Sequence, residues 1–277
     1  MKQNNKLNPK IMNYYYIFRT KKQLSSCIFI MTILMLGLFS ACSTSQKTEI
    51  MNIVMTTKTT EFRHGNIPVA VEALQKMAAE NNWNLLHTED STWFTAENLE
   101  NQDLIIFLQT TGDIFDDNQQ QAIQAYVENG GGLLTIHTGT VTENNWPWYM
   151  EMIGAKFVGH PPVQSGKLII ENRDHPATSF FSDSTWVIVD EWYSFDRNPR
   201  QDVNVLISID EFSYEVDDNG WFDGVNQRMG DHPMVWHRNA GKGRIFQTAL
   251  GHPAELYSDP LFLQHIHGAI VWTAGME

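Results

Sequence analysis

Four side chains that can transfer protons or bind a metal follow strand-like segments of this 277-residue chain. They are His64, His137, Glu191 and His252. Histidine changes its charge near neutral pH and is a common metal ligand, while a carboxylate serves as a base or as a ligand. Because the four side chains follow different strands, we expect them to meet at one sheet edge as a catalytic site.

Two further histidines, His160 and His175, lie in loops, and each of them directly precedes a proline. A histidine in this position either contacts a ligand or is bonded to the backbone of its own turn. We assign both to substrate binding, and the sequence leaves the structural role open. His265 and His267 are two residues apart on a predicted helix, so they point in different directions and do not suit one metal ion.

Aromatic and basic residues beside the predicted site add candidate substrate contacts. Trp192 directly follows Glu191, Trp236 lies in a late apolar segment, and Arg63 precedes His64. Indole rings stack on the C–H faces of sugars, but large aromatic residues are also common in protein cores. We expect Trp192 to be the best candidate for sugar stacking.

The first two-thirds of the chain alternates between strand and helix patterns. Pro68 is suited to the first turn of a helix, and Asp116 with Gln119 forms a capping-box pattern at the start of another. Short apolar strands that alternate with amphipathic helices indicate a parallel sheet covered on both faces. Ligands bind such sheets beyond the carboxyl ends of the strands. The strands are predicted at residues 51–55, 83–87, 103–108 and 133–137.

The last third of the chain is richer in strand patterns. Gly241 and Gly243 predict a hairpin turn, and Pro260 begins a terminal helix that ends near Trp272. We therefore predict an α/β protein with a central, mostly parallel sheet flanked by helices and a β-rich C-terminal portion. The additional strands are predicted at residues 168–171, 186–189, 203–209, 234–237 and 244–248.

The start of the chain resembles a bacterial lipoprotein leader. Residues 1–41 carry six basic and no acidic residues, and they end in an apolar run followed by Ser40, Ala41 and Cys42. We expect a signal peptide over 1–41, lipidation at Cys42, a tether over 42–50 and a domain over 51–277. A plain signal peptide and an uncleaved anchor helix are the alternatives, and Met12 is an alternative start. We expect an exported protein of the cell envelope.

Charge and cysteine content narrow the possible functions. The chain has 19 basic and 32 acidic residues, so residues 42–277 carry 13 basic residues against 32 acidic ones. This balance argues against nucleic acid and against binding to anionic lipid, which leaves the lipid anchor as the membrane contact. The two cysteines are Cys27 and Cys42, so the predicted domain has no thiol nucleophile and no disulfide.

Eight short segments, in order, resemble the ThuA-like (trehalose utilisation) family over almost the whole of residues 51–272. No single segment is specific, but their order supports the resemblance. The segments are residues 62–64 (FRH), 130–137 (GGGLLTIH), 159–163 (GHPPV), 174–176 (DHP), 190–195 (DEWYSF), 233–236 (PMVW), 241–246 (GKGRIF) and 250–252 (LGH).

This resemblance implies a flavodoxin-like fold of the class I glutamine amidotransferase type. Amidotransferases of this fold carry a nucleophilic cysteine after the strand that corresponds to 133–137, where this chain has His137. Glutamine hydrolysis through a thioester is therefore excluded.

The resemblance also implies chemistry on keto-sugars or related disaccharides and glycosides. A base removes the proton next to the carbonyl, and isomerisation, hydration or elimination follows. His64, His137, Glu191 and His252 are the right types for base, acid and oxyanion partner, and a divalent metal would serve equally well as the electrophile. A non-catalytic glycan-binding surface module and a metal-dependent hydrolase of another small substrate remain alternatives.

Overall fold

The strands predicted from continuous apolar runs form the centre of a nine-stranded sheet. The computed structural model describes residues 50–216, 222 and 224–277; the predicted leader, Cys42 and nearly all of the tether lie outside them. The strands are β1 (Asn52–Thr56), β2 (Asn84–His87), β3 (Leu104–Leu108), β4 (Gly132–Ile136), β5 (Phe157–Gly159), β6 (Gln164–Ile170), β7 (Thr185–Asp190), β8 (Ser194–Phe195), β9 (Asn204–Asp210), β10 (Pro233–Ala240) and β11 (Gly243–Thr248). The helices are α1 (Ile67–Glu80), α2 (Ala96–Leu99), α3 (Asp117–Glu128), α4 (Pro147–Ile153) and α5 (Pro260–Thr273).

The order of strands in the large sheet is β2-β1-β3-β4-β11-β10-β9-β6-β7, and β5 pairs with β8 in a small second sheet. Neighbouring strands are parallel from β2 to β11. From β11 to β7 every neighbouring pair is antiparallel. This arrangement confirms the predicted α/β fold with a parallel sheet and a β-rich C-terminal portion.

Helices cover both faces of the parallel half of the sheet. On one face, α1 packs on β2 and β3 through residues such as Leu74, and α5 packs on β4 and β11 through residues such as Phe262. On the other face, α3 and α4 pack on β11 through residues such as Ile123 and Ile153. Every residue of β3 and β4 is buried, which explains their continuous apolar sequences.

The antiparallel half is covered more fully on one face than on the other. Residues of β7 alternate between exposed and buried, so Trp186 and Ile188 enter the core while Val187 is 62% exposed. A strand with one solvent-facing side has this alternation, whereas β3 does not.

Strand direction determines which loops lie at the functional edge. By their pairings, β7 and β9 run in the same direction as β1, β3, β4 and β11, so all of their carboxyl ends lie at one edge. The reversed strands β6 and β10 begin at this edge. The segment before β6 therefore lies near the carboxyl ends, and the segment after β6 lies at the opposite edge.

Local signals set the helix ends as predicted. The Asp116 side chain accepts hydrogen bonds from the backbone N–H of Asn118 and Gln119, and the Gln119 side chain completes the capping box. Asp259 caps α5 ahead of Pro260. The sequence patterns did not predict α2, α4, β5 and β8, which are short. None of the helices in the described residues is long and apolar enough to cross a bilayer.

Candidate active site

Four predicted catalytic side chains converge at the carboxyl edge of the sheet. Their candidate ligand atoms lie within 4.8 Å of one another, and no other such group of three or more His, Cys, Asp or Glu occurs in the described part of the chain. Each residue follows a different strand, namely β1, β4, β7 and β11. We call this group, made of His64, His137, Glu191 and His252, the histidine–glutamate cluster.

His137 occupies a tight turn directly after β4. Its φ of 68° is in the left-handed region, which few residues other than glycine adopt. The backbone N–H of His137 donates to Thr248 O at 2.8 Å, which ties the turn to β11. Two residues on, a Cβ at Gly139 would overlap the side chains of Thr135 and Gln247, so the turn requires glycine there. Backbone strain of this kind is frequent at functional sites.

The hydrogen bonds of His137 fix which ring nitrogen faces the cluster. Its Nδ1 lies 3.0 Å from Ala249 O, and a carbonyl oxygen only accepts, so Nδ1 carries the proton. Nε2 therefore presents a lone pair, which accepts from the Tyr193 hydroxyl at 3.0 Å and lies 3.5 Å from Glu191 Oε2. A backbone carbonyl behind a histidine in this way is typical of metal-binding histidines.

His64 and His252 complete the imidazole group. The His64 ring contacts the rings of His137 and His252 edge-on, with centroids 4.9 and 5.2 Å apart. Its Nδ1 is buried without a hydrogen-bond partner among the described residues. Burial, followed by the neighbouring His137 and His252, lowers the pKa of His64 to about 3, so it is neutral near pH 7.

Glu191 is the negative group of the cluster. Its Oε2 lies 3.1 Å from His252 Nδ1, and within the described residues its ion pairs are all with histidines. Burial alone would raise the pKa of Glu191, but His137 and His252 outweigh burial and hold this pKa well below its usual range. Burial would lower the pKa of His252, and the hydrogen bond and charge of Glu191 outweigh it and raise that pKa.

This donor set fits a divalent metal ion. Neutral imidazoles with available lone pairs and one ionised carboxylate are the ligands that Zn²⁺ and similar transition metals take in proteins. The buried, unpartnered Nδ1 of His64 supports the fit, because an orphaned polar atom in a folded protein needs an explanation. We therefore regard the histidine–glutamate cluster as a candidate metal centre.

His160 lies beside the cluster, because it precedes β6 at the same edge. Its Nε2 is 3.5 Å from Glu191 Oε1, and its Nδ1 donates to Pro161 O at 2.8 Å. The side chain is 19% exposed and its ring packs against Tyr193. Burial is the largest cause of the lowered pKa of His160, which favours the neutral form.

The other predicted substrate contacts lie elsewhere. Arg63 is in the His64 loop, but its guanidinium donates to Glu89 at 2.7 Å and to Thr57 O. His175 follows β6 at the opposite edge and packs against His237. The two tryptophans are core residues: Trp192 is fully buried, and Trp236 donates to Ile153 O. The positions of Trp192 and Trp236 in the core do not support stacking on a sugar.

Several residues at the site were not predicted. Asp190 and Tyr193 lie in the same short segment of the sequence as Glu191, so the prediction of Glu191 could have indicated them as well. Gln109 follows β3 with a φ of 54°, and its fully buried side chain contacts the His252 loop. A polar residue directly after a continuous apolar strand could have indicated it. Phe62 is 62% exposed beside His64.

The fold and the site define an α/β protein of flavodoxin-like outline with a histidine-rich carboxyl edge. The chain belongs to the ThuA family, described as trehalose utilisation, whose sequence profile matches residues 52–273. None of the curated proteins matches the chain significantly.

Solved structures agree with this assignment. A ThuA-like protein from Bacteroides uniformis is 25% identical with a TM-score of 0.67, covering 81% of this chain and 91% of that one. A ThuA-like protein from Parabacteroides merdae is 18% identical with a TM-score of 0.62, covering 81% and 90%. A cytoplasmic protein from Salmonella typhimurium shares the fold at 14% identity and a TM-score of 0.56, covering 81% and 99%.

Proposed function

We propose that this ThuA protein is an enzyme that removes the proton next to the carbonyl group of a keto-sugar or related glycoside. In this proposal the histidine–glutamate cluster binds a divalent metal ion. The observation that carries it is the convergence of three imidazoles and one carboxylate within 4.8 Å. A surface that only stacks on a glycan needs no such group, whereas proton abstraction and metal binding both do.

The metal ion would polarise the sugar carbonyl and stabilise the negative charge that develops on its oxygen. The chain itself supplies the binding groups and holds them in place. His64 is neutral near pH 7 because burial lowers its pKa to about 3, and Glu191 is ionised. The cluster therefore offers one carboxylate and three imidazoles, and because imidazoles ligate metals in their neutral form, a bound divalent cation would keep a net positive charge.

His160 is the group best placed to take the substrate proton. Its Nδ1–H is engaged by Pro161 O, so Nε2 is the free nitrogen, and it lies beside Glu191 at the cluster. Tyr193 is a neutral hydrogen-bond donor near pH 7, because burial raises the pKa of its hydroxyl. Its hydroxyl donates to His137 Nε2, and it would become available to a substrate oxygen once that nitrogen binds the cation.

The sugar class rests on the family and on the chemistry of the substrate. The family is described as trehalose utilisation. A 3-keto-sugar has an acidic C2–H, so a base beside a cation can form an enediolate that leads to isomerisation, hydration or elimination of the glycosidic bond. Phe62, exposed at the edge of the cluster, offers an apolar surface for a sugar ring.

The test is turnover of 3-keto-trehalose and 3-keto-glucosides in D₂O, followed by NMR. Protein freed of metal with a chelator would be compared with protein reloaded with Zn²⁺, Mn²⁺ or Co²⁺. We expect turnover in the reloaded protein alone, with loss of the original C2 proton of the substrate. His137→Ala should lose bound metal and turnover, whereas His267→Gln, on the outer side of α5, should keep both.

The outcomes separate the competing functions. Product that keeps the original C2 proton would favour a metal-dependent hydrolase, and sugar binding without turnover would favour a glycan-binding module. Failure to convert any 3-keto-sugar would show that the substrate class is wrong. Full activity after chelation would remove the metal from the mechanism.

A further inference from the structure

A buried carboxylate that is outside the histidine–glutamate cluster holds two of its members. Asp190 is fully buried, and its Oδ1 accepts the backbone N–H of Glu191 at 2.9 Å and that of His252 at 3.0 Å. Its Oδ2 accepts the backbone N–H of Gly251 at 2.8 Å. One side chain therefore bonds the backbone of the strand end that carries Glu191 and of the turn that carries His252.

The carbonyl groups of the same turn are also held by side chains. Gln109 Nε2 donates to Gly251 O at 2.9 Å, and Asn66 Nδ2 donates to the carbonyl oxygens of Gly251 and His252. All four backbone polar groups of Gly251 and His252 are thus bonded to side chains from the end of β7 and from the loops after β1 and β3. Gly251 has a φ of 122°, a conformation that L side chains rarely adopt.

We propose that Asp190 is the positioning residue of the metal centre, because it sets Glu191 and His252 at the separation at which both bind one cation. This inference rests on the metal-dependent function proposed above. An aspartate is required because three N–H groups point at its two oxygens. Asparagine has one oxygen, and its NH₂ group would face a donor instead of accepting from it.

The experiment is titration of the full chain, freed of metal, with Co²⁺, read by absorption and by competition with a fluorescent chelator. We expect Asp190→Asn to weaken Co²⁺ binding by about 10- to 100-fold, the usual effect of losing a group that orients metal ligands. The Co²⁺ absorption band should also change shape, because the arrangement of ligands around the ion changes.

Glu143→Gln is the matched control. Glu143 is fully buried and accepts the backbone N–H of Ile114 and Phe115, so it holds a different loop in the same way. Both variants should lose stability to urea, but only Asp190→Asn should lose Co²⁺ affinity. Equal loss of affinity in both variants, or unchanged affinity in Asp190→Asn, would overturn the positioning role.

Two further measurements keep the outcome decisive. If Asp190→Asn does not fold, Asn66→Ala tests the same turn from its carbonyl side, and we expect Co²⁺ binding to weaken about ten-fold. A folded Asn66→Ala protein with unchanged affinity would then contradict the inference. Absence of Co²⁺ binding by the wild-type protein would instead overturn the metal centre itself.

Discussion

At the scale of single residues, the candidate site depends on which nitrogen lone pairs are available. His137 donates from Nδ1 to a backbone carbonyl, so its Nε2 faces the cluster as a ligand atom. His64 has a buried nitrogen with no partner in the described residues, and its pKa of about 3 keeps it neutral. Near neutral pH His64 therefore binds a cation without first losing a proton, which metal ligation by a charged histidine would require.

Phe62→Ala tests the proposed sugar surface. The Phe62 ring packs edge-on against His64, with centroids 4.8 Å apart, and is 62% exposed. We expect KM for 3-keto-trehalose to rise about three- to ten-fold with kcat little changed, because an aromatic contact of about 1 kcal/mol is lost from substrate and transition state alike. Steady-state kinetics of the metal-loaded protein measures this.

Phe212→Ala is the control for this substitution. Phe212 is 99% exposed and lies after β9, so the substitution Phe212→Ala removes the same type of side chain without changing the cluster. Equal kinetic effects of the two substitutions would show that Phe62 has no specific role.

At the scale of elements, strand direction determines the site. The reversal of β6 brings His160 to the carboxyl edge and takes His175 to the other edge, although both residues precede prolines in loops. After β7, successive side chains point in opposite directions, so Glu191 faces the cluster while Trp192 enters the core. The helices pack on the faces of the sheet, so their ends are set by local signals and not by the site.

Asp116→Ala tests whether the start of a helix can be weakened without affecting the site. The substitution removes the two hydrogen bonds that the Asp116 side chain accepts at the start of α3, so we expect a loss of about 1 kcal/mol in the free energy of unfolding. Urea denaturation measures it, and Co²⁺ affinity should not change. Asp117→Ala, in the first turn without a capping role, should cost only a few tenths of a kcal/mol. Equal losses would contradict the capping role.

At the scale of the whole molecule, buried neutral histidines make stability depend on pH. Burial lowers the pKa of His265 to about 4 and that of His175 to about 3, while unfolding restores values near 6.5. Their contribution to stability is complete above about pH 6.5 and is lost as the pH falls towards 4, because only the unfolded chain then binds protons.

We therefore expect the free energy of unfolding to fall between pH 6.5 and 4.5. Each such histidine contributes at most about 1.4 kcal/mol per pH unit. Urea denaturation of chelator-treated protein at several pH values measures the slope. His265→Gln should flatten it, while His267→Gln, partly exposed on the same helix, should flatten it less. A slope that is the same in all three proteins would contradict this account.

The lipid anchor is a separate prediction about the whole protein. We propose that Cys42 is lipidated after export, as the leader pattern indicates. Expression in a bacterial host with labelled palmitate should label the wild-type protein and place it in the membrane fraction. Cys42→Ala should be unlabelled and soluble, and Cys27→Ala is the control that should remain labelled. Labelling of Cys42→Ala would contradict the proposal.

The sequence by itself determined the features that depend on local patterns. Continuous apolar runs predicted β1, β3 and β4, since strands buried on both faces need apolar residues at every position. The capping box at Asp116 and the Pro260 start of α5 were also predicted, because the interacting groups are neighbours in the sequence. The motif order predicted the family, and the family implied the fold.

Only the tertiary structure decided which of the candidate side chains meet. His64 and His252 are far apart in the sequence, and their contact depends on β1 and β11 ending at one edge of the sheet. Composition does not reveal that His160 joins this edge while His175 leaves it. The direction of each strand is set by long-range pairing, so the site, unlike its strands, required the assembled sheet.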